Sequence, residues 1–149
     1  MTKSFRLQPI LDLAEREAEK SALRLGTLTA QASQLELKLQ LLQRYREEYL
    51  ERFRTALRDN PSNLPFGNFH EFMDKLDTAI LQQQATVEQA RKQVAAGQRE
   101  HLDRRRRVKA FGTLAERHQT TAQLQERRAE QRALDELTSQ RGSRKARSA

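Results

Sequence analysis

Residues 7–56, LQPILDLAEREAEKSALRLGTLTAQASQLELKLQLLQRYREEYLERFRTA, carry a single apolar stripe that only a partner helix can bury. Its members recur at alternating spacings of three and four, which puts them on one face of a helix. Only Ser21 and Arg46 interrupt it. A repeat that averages 3.5 residues over this length is typical of a supercoiled helix–helix seam. The stripe consists of Leu7, Leu11, Ala14, Ala18, Ser21, Leu25, Leu28, Ala32, Leu35, Leu39, Leu42, Arg46, Tyr49, Phe53 and Ala56.

The composition of the chain favours long helices over a layered fold. Apolar residues make up 36% of the 149 residues and charged residues 32%, with five glycines and three prolines. The lack of cysteine excludes disulfides and thiolate metal sites, and no apolar run reaches the ~18 residues of a membrane span. The first 30 residues mix acidic with apolar side chains, unlike a signal peptide. We therefore expect a cytoplasmic protein with at most peripheral membrane contact.

One segment, DNPSNLPFG at residues 59–67, interrupts the helical pattern. Its prolines, asparagines and glycine end a helix and turn the chain, and Asn68 with Glu71 resembles a capping box. A second stripe follows without any proline. It consists of Met73, Leu76, Ile80, Gln83, Val87, Ala90, Val94, Gly97, His101, Arg104, Val108, Phe111, Ala115, His118 and Ala122.

A short loop between two such helices predicts an all-α fold, a long antiparallel two-helix coiled-coil hairpin with an overhanging C-terminal helix. We expect helix one over about residues 5–58, a loop at 59–67 and helix two over about 69–139, in a single domain of residues 1–140. With the turn centred near residue 63, residue i would lie opposite roughly residue 127 − i.

Helix two is therefore expected to extend beyond the start of helix one. This overhang, residues 122–141, still carries Leu124, Leu134 and Leu137, and unpaired leucines favour an intermolecular contact. Residues 141–149, RGSRKARSA, lack apolar periodicity and are expected to form a disordered basic tail.

The net charge of +8 is concentrated in the second half of the chain. Residues 1–90 have a net charge of −1 and residues 91–149 one of +9, which predicts attraction to an acidic protein surface, anionic lipid or nucleic acid. Arg104 to Arg107 are consecutive, so on a helix they point in four directions. A solvated helix face is the favoured explanation of these arginines, and an acidic protein or lipid partner is the alternative. The lack of interleaved aromatic residues disfavours nucleic acid.

Nothing in the sequence predicts an enzyme, a cofactor or a metal site. The three histidines lack metal-ligand spacing, the glycines are isolated, and a two-helix hairpin is expected to offer no concave pocket. His101 and His118 fall on the seam as polar interruptions or as a buried pH switch. Residues 69–80 are apolar on more than one face, which favours either closure of the hairpin end around Phe53 and Phe66 or a partner-binding patch.

Several motifs, in their order and spacing, resemble the FliJ family of the bacterial flagellar type III export apparatus. The resemblance spans residues 5–140. The motifs are an opening F-x-L-x-x-[IL]-L at 5–11 followed by DLAERE at 12–17, Y-x-x-E-Y at 45–49, N-F-x-x-F-x-x-x-L-x-x-A-I at 68–80, and a closing block at 114–140 with Arg127, Arg128, Gln131, Asp135 and Glu136.

The resemblance implies a non-enzymatic hairpin similar to the central stalk of rotary ATP synthases. FliJ-type proteins bind the hexameric export ATPase (FliI) at its ring through the end that holds both termini. They also contact the cytoplasmic domain of the export gate (FlhA) and bind chaperones of late flagellar subunits. The residues matching the gate-docking motif are Phe72, Leu76 and Ala79, with Gln83 where some relatives carry His. Those at the ring-binding end are Phe5, Leu7, Leu11, Leu124, Arg127, Arg128, Gln131, Leu134 and Asp135.

The leading hypothesis is therefore a stalk and coupling factor of flagellar protein export, needed for motility. The stalk of a virulence type III secretion system, a basic coiled-coil nucleic-acid-binding protein, and a dimer in which the helix-one seam pairs with a second copy are the alternatives.

Overall fold

A computed structural model describes residues 4–59 and 67–148. The fold is all-α, as predicted: α1 spans Gln8–Asp59, α2 spans Phe69–Ser148, and the two helices pack against each other in an antiparallel hairpin. Pro9 stands in the first turn of α1, where its missing N–H group would have no helical partner. The predicted loop lies outside the described residues except for Asp59 and Gly67.

The C-terminal end of α2 differs from the expected disordered tail, because the helix continues through residues 141–148. The Ser148 hydroxyl donates to the Arg144 carbonyl oxygen at 3.1 Å. The segment contains no proline, and lysine, arginine and alanine are good helix formers. Apolar periodicity indicates which helix face is buried and does not measure helix propensity. The loss of periodicity after residue 140 therefore did not mark the end of the helix.

The chain divides into two compact units, and each contains parts of both helices. We call Glu19–Leu102 the hairpin unit, and Met1–Ala18 with Asp103–Ala149 the terminal unit. That residues 1–140 form a single domain stays a prediction.

The hairpin unit is held together by the predicted seam, in which every predicted stripe residue of both helices is buried or half-buried. Val87 and Ser21 are the most deeply buried, at 2% and 1% exposure. The main apolar cluster consists of Phe69, Met73, Leu76 and Ile80, with Leu39, Leu42, Tyr49, Leu50, Phe53 and Phe72 packed against them.

Aromatic side chains close the loop end of the hairpin unit. The rings of Phe53 and Phe69 stack with centroids 3.6 Å apart and an interplanar angle of 8°, and Tyr49 stacks on Phe69 at 5.8 Å. Phe69 is only 8% exposed, so it closes the hairpin end rather than contributing to a partner-binding patch. Phe66 lies outside the described residues.

The predicted register of the two helices is wrong by five residues, about one and a half helical turns. It placed Phe53 opposite residue 74 and Ser21 opposite residue 106, but these side chains contact Phe69 and His101. The cause lies at the loop end, where α1 continues to Asp59, beyond the Phe53–Phe69 stack. α1 therefore extends six residues beyond Phe53, whereas α2 begins at Phe69 itself.

Polar side chains that interrupt the seam have partners across it. The Ser21 hydroxyl and His101 Nδ1 are hydrogen-bonded at 2.9 Å, and Gln83 Nε2 donates to the Leu35 carbonyl oxygen at 2.9 Å. Polar groups at such positions specify register, because sliding would leave them buried without partners.

Charged pairs flank the seam of the hairpin unit. Arg46 Nε donates to Asp77 Oδ1 at 2.5 Å, and this hydrogen bond together with the carboxylate charge raises the pKa of Arg46 above its usual value. Arg91 pairs with Glu36 at 2.9 Å, and Arg24 pairs with Glu100. The side chains of all three pairs are at least 37% exposed, so the pairs contribute little to stability and mainly support the register.

Two glycines of the hairpin unit stand in opposite environments. A Cβ atom on Gly97 would lie 3.1 Å from Leu28 Cδ1 and 3.5 Å from Leu25 Cδ1, so this glycine permits close approach of the helices. A Cβ atom on Gly26 would have no neighbour within 4 Å.

Substitution of these glycines is expected to have opposite effects on stability. Gly26→Ala should raise the free energy of unfolding by up to ~1 kcal/mol through helix propensity alone. Gly97→Leu should lower it by about 1–3 kcal/mol, because the larger side chain overpacks the seam despite its better propensity. Urea denaturation followed by circular dichroism measures both effects. Equal stabilisation by the two changes would contradict the close approach at Gly97.

Candidate partner-binding surfaces

Three of the predicted ring-binding residues belong to the first turns of the chain and pack within the terminal unit. The Phe5 ring lies 5.4 Å from the His118 ring, Leu11 is 8% exposed, and Leu7 is half-buried. These side chains therefore join α1 to α2, and their apolar surface is largely used inside the unit.

Beyond Ala122, every described residue of α2 is exposed, which gives a single-helix extension of residues 123–148. Leu124 is 46% and Leu134 is 59% exposed, and Gln131 Nε2 donates to Asp135 Oδ1 at 3.1 Å. At ~100° per residue, the six predicted ring-binding residues of α2 occupy about one third of the helix circumference. They form one accessible face, and the three predicted residues of the N-terminal segment are not part of it. The six are Leu124, Arg127, Arg128, Gln131, Leu134 and Asp135.

The excess positive charge belongs to the terminal unit. Residues 1–18 and 103–149 together contain 16 lysine or arginine and 9 aspartate or glutamate residues, a net charge of +7. Residues 19–102 contain 12 and 11, a net charge of +1. A fully exposed helix in so basic a unit attracts acidic partners over a range set by ionic strength.

The three predicted gate-docking residues, in the hairpin unit, are not equally accessible. Leu76 is 7% exposed and belongs to the apolar cluster, whereas Phe72 and Ala79 are half-buried. The Phe72 ring contacts the rings of Tyr49 at 4.4 Å and Tyr45 at 6.1 Å. Leu76 thus supports the surface from beneath, and Phe72 and Ala79 are the members that a partner can reach.

Sequence reasoning missed an exposed stripe on α1 that adjoins Phe72. Leu37, Leu41 and Tyr45 recur every four residues and are 58%, 60% and 46% exposed. Their regular spacing, just outside the seam positions, was the available signal. Tyr45 meets Phe72 edge-on at 74°, so the exposed stripe continues onto Phe72.

Each unit has an open groove at its surface, and neither groove is an enclosed pocket. The hairpin unit has an open groove of about 460 Å³ along Leu41, Leu42 and Tyr45. The terminal unit has one of about 390 Å³ between α1 and α2. Both are open grooves that suit side chains of a partner protein better than an enclosed small molecule.

The histidines have structural neighbours, and none belongs to a metal site. His101 bonds Ser21, His118 contacts Phe5, and His70 lies edge-on to Phe69 at 5.5 Å. Within residues 4–59 and 67–148, no group of three His, Cys, Asp or Glu side chains could hold a metal ion. Neither helix of that part of the chain is apolar enough over a sufficient length to span a membrane.

Comparison with known proteins identifies the family of the chain. The family profile described as "Flagellar FliJ protein" matches residues 2–147. The flagellar FliJ protein of Escherichia coli (strain K12) is 29% identical over 145 residues, covering 97% of this chain and 99% of the relative. The flagellar FliJ protein of Salmonella typhi is 28% identical with the same coverage. The chain belongs to the FliJ family of flagellar proteins.

Proposed function

We propose that this protein is a non-enzymatic component of the flagellar type III export apparatus that binds the ring of the hexameric export ATPase (FliI) as a central stalk. The observation that carries the proposal is the exposed helix of residues 123–148, which keeps Leu124 and Leu134 on one face. A helix that buries none of its residues within the chain is suited to bury them against another protein.

The form of the extension fits a ring. A single helix is narrow enough to enter a pore lined by six copies of one surface. It cannot match six equivalent positions at once, so its contacts are asymmetric and individually weak. The net charge of +7 on the terminal unit then sets the rate of encounter and its salt dependence.

The second part of the proposal is a link from the ring to the cytoplasmic domain of the export gate (FlhA). Phe72 and Ala79 offer apolar surface in the hairpin unit, and Tyr45 extends it. Export chaperones of late subunits are further proposed partners. These partners would hold the protein in the cytoplasm, peripherally at the inner-membrane base of the flagellum.

Removal of the extension is expected to abolish stimulation of the cognate export ATPase. A variant ending at Thr121 should lose both the stimulation and the shift of the ATPase from monomer to ring, measured by phosphate release and light scattering. A variant ending at Gln140 should retain both, because it keeps all six residues of the exposed face.

Point substitutions test whether the leucines of the extension bind the ATPase specifically or whether any exposed leucine has the same effect. Leu124→Glu with Leu134→Glu should reduce ATPase stimulation about tenfold or more, since apolar contacts would be replaced by charges. Leu37→Glu with Leu41→Glu changes equally exposed leucines of the hairpin unit and serves as the matched control. Equal losses in the two double variants would contradict binding through the extension.

The gate surface is tested by comparing accessible with buried members. Phe72→Ala and Ala79→Asp should each weaken binding to the purified gate domain, measured by calorimetry. Ala79→Asp should lower the free energy of unfolding by only about 1 kcal/mol, mainly through helix propensity. Leu76→Ala should also lower the free energy of unfolding, by about 2–5 kcal/mol, because the side chain is buried. Unaltered gate binding by both Phe72→Ala and Ala79→Asp would place the gate contact elsewhere.

A further inference from the structure

We propose that a groove in the terminal unit binds an acidic amphipathic helix of a partner protein. None of the nine residues assigned above to the ATPase ring lines this groove, so the inference does not rest on that assignment. It has a volume of about 390 Å³ and lies between the first turns of α1 and the middle of α2. It is lined by Ile10, Leu13, Ala14 and Glu17 from α1 and by Arg104, Arg107 and Phe111 from α2.

The floor of the groove is apolar and accessible. Ile10 is 43% and Leu13 is 56% exposed, and Phe111 is half-buried beside them. Large aliphatic side chains at spacing i, i+3 form a ridge that a third helix can pack against. The α1 part of the lining, Ile10 to Glu17, extends ~10 Å along the helix axis and so matches about two turns of a bound helix.

The charged part of the groove selects an acidic occupant. Arg104 and Arg107 are three residues apart and share the groove face with Phe111, whereas Arg105 and Arg106 lie about 100° and 200° around the helix from Arg104. Guanidinium groups beside an apolar floor complement a helix whose apolar stripe is flanked by carboxylates. The net charge of +7 on the unit extends this preference to long range.

The same lining disfavours other anionic occupants. A phosphate backbone would have to lie over Ile10 and Leu13 without hydrogen-bond partners, and Phe111 is the only aromatic ring in the lining that a base could stack on. A lipid headgroup would meet the Glu17 carboxylate, which also lines the groove. In a peptide helix, by contrast, individual positions can place carboxylates near the arginines and a neutral or basic residue near Glu17.

The probe is a fluorescently labelled 18-residue peptide designed as a helix, with leucines at i, i+4, i+7 and i+11 and glutamates on both flanks. Fluorescence anisotropy with the full chain should show saturable binding that is lost when the glutamates are replaced by lysine. Arg104→Gln with Arg107→Gln should weaken binding at least about tenfold. Arg105→Gln with Arg106→Gln removes the same charge from other faces and should change binding less than about twofold.

A second pair of variants tests the apolar floor. Leu13→Glu should abolish binding, and Leu23→Glu, at a leucine that is 74% exposed in the hairpin unit, should not. Circular dichroism checks that each variant keeps its helices, and Arg107→Gln alone, at an exposed position, remains informative if the double variant unfolds.

Equal weakening by the two arginine pairs would mean diffuse electrostatic attraction. Tighter binding of phosphatidylglycerol vesicles or of a single-stranded oligonucleotide, sensitive to Arg104 and Arg107, would assign the groove to lipid or nucleic acid. In cells, a photocrosslinker at Leu13 should capture a segment with an apolar helical stripe flanked by acidic residues, and a control at Leu23 should not. Capture of a basic segment, of a second copy of this chain, or of nothing at all would contradict the inference.

Discussion

Mutual burial of two narrow apolar stripes is the constraint on which the rest of the structure depends. Each helix carries one stripe, too thin to form a core alone, and each stripe is covered by the other helix. Because α2 of the same chain covers the α1 seam, the structure gives no reason for a second copy to pair there. All remaining surfaces can then be charged or polar, and the apolar side chains that stay exposed outside the seam are candidates for contacts with other proteins.

A few specific contacts, rather than the apolar stripe, determine which residues of α1 lie opposite which residues of α2. An apolar stripe packs almost equally well after a shift of seven residues, because its repeat is seven residues long. The Phe53–Phe69 stack and the Ser21–His101 hydrogen bond do not survive such a shift. Gly97 adds a steric condition, since Leu25 and Leu28 occupy the space that any larger side chain would need.

Features that depend on one helix at a time could be predicted, and features that depend on two could not. Spacings of three and four in the sequence defined the stripe positions, and all of these positions are buried or half-buried in the structure. The prediction succeeded because the face that a residue occupies on a helix follows from sequence alone. The exposure of Leu124 and Leu134 followed from the end of the α1 stripe. The register and the partnership of Tyr45 with Phe72 depend on side chains across the seam, which spacing does not reveal. The groove of the terminal unit, which α1 and α2 line together, was missed for the same reason.

The polar contacts along the seam also have a mechanical consequence for the hairpin unit. To slide one helix along the other, the Ser21–His101 and Gln83–Leu35 hydrogen bonds must break together, and the methyl groups of Leu25 and Leu28 must leave the notch at Gly97. Small displacements therefore meet a steep restoring force, and the next favourable arrangement is a whole heptad away. Within this unit, a force applied along α1 is therefore transmitted to α2, and the two helices resist sliding as one rigid element.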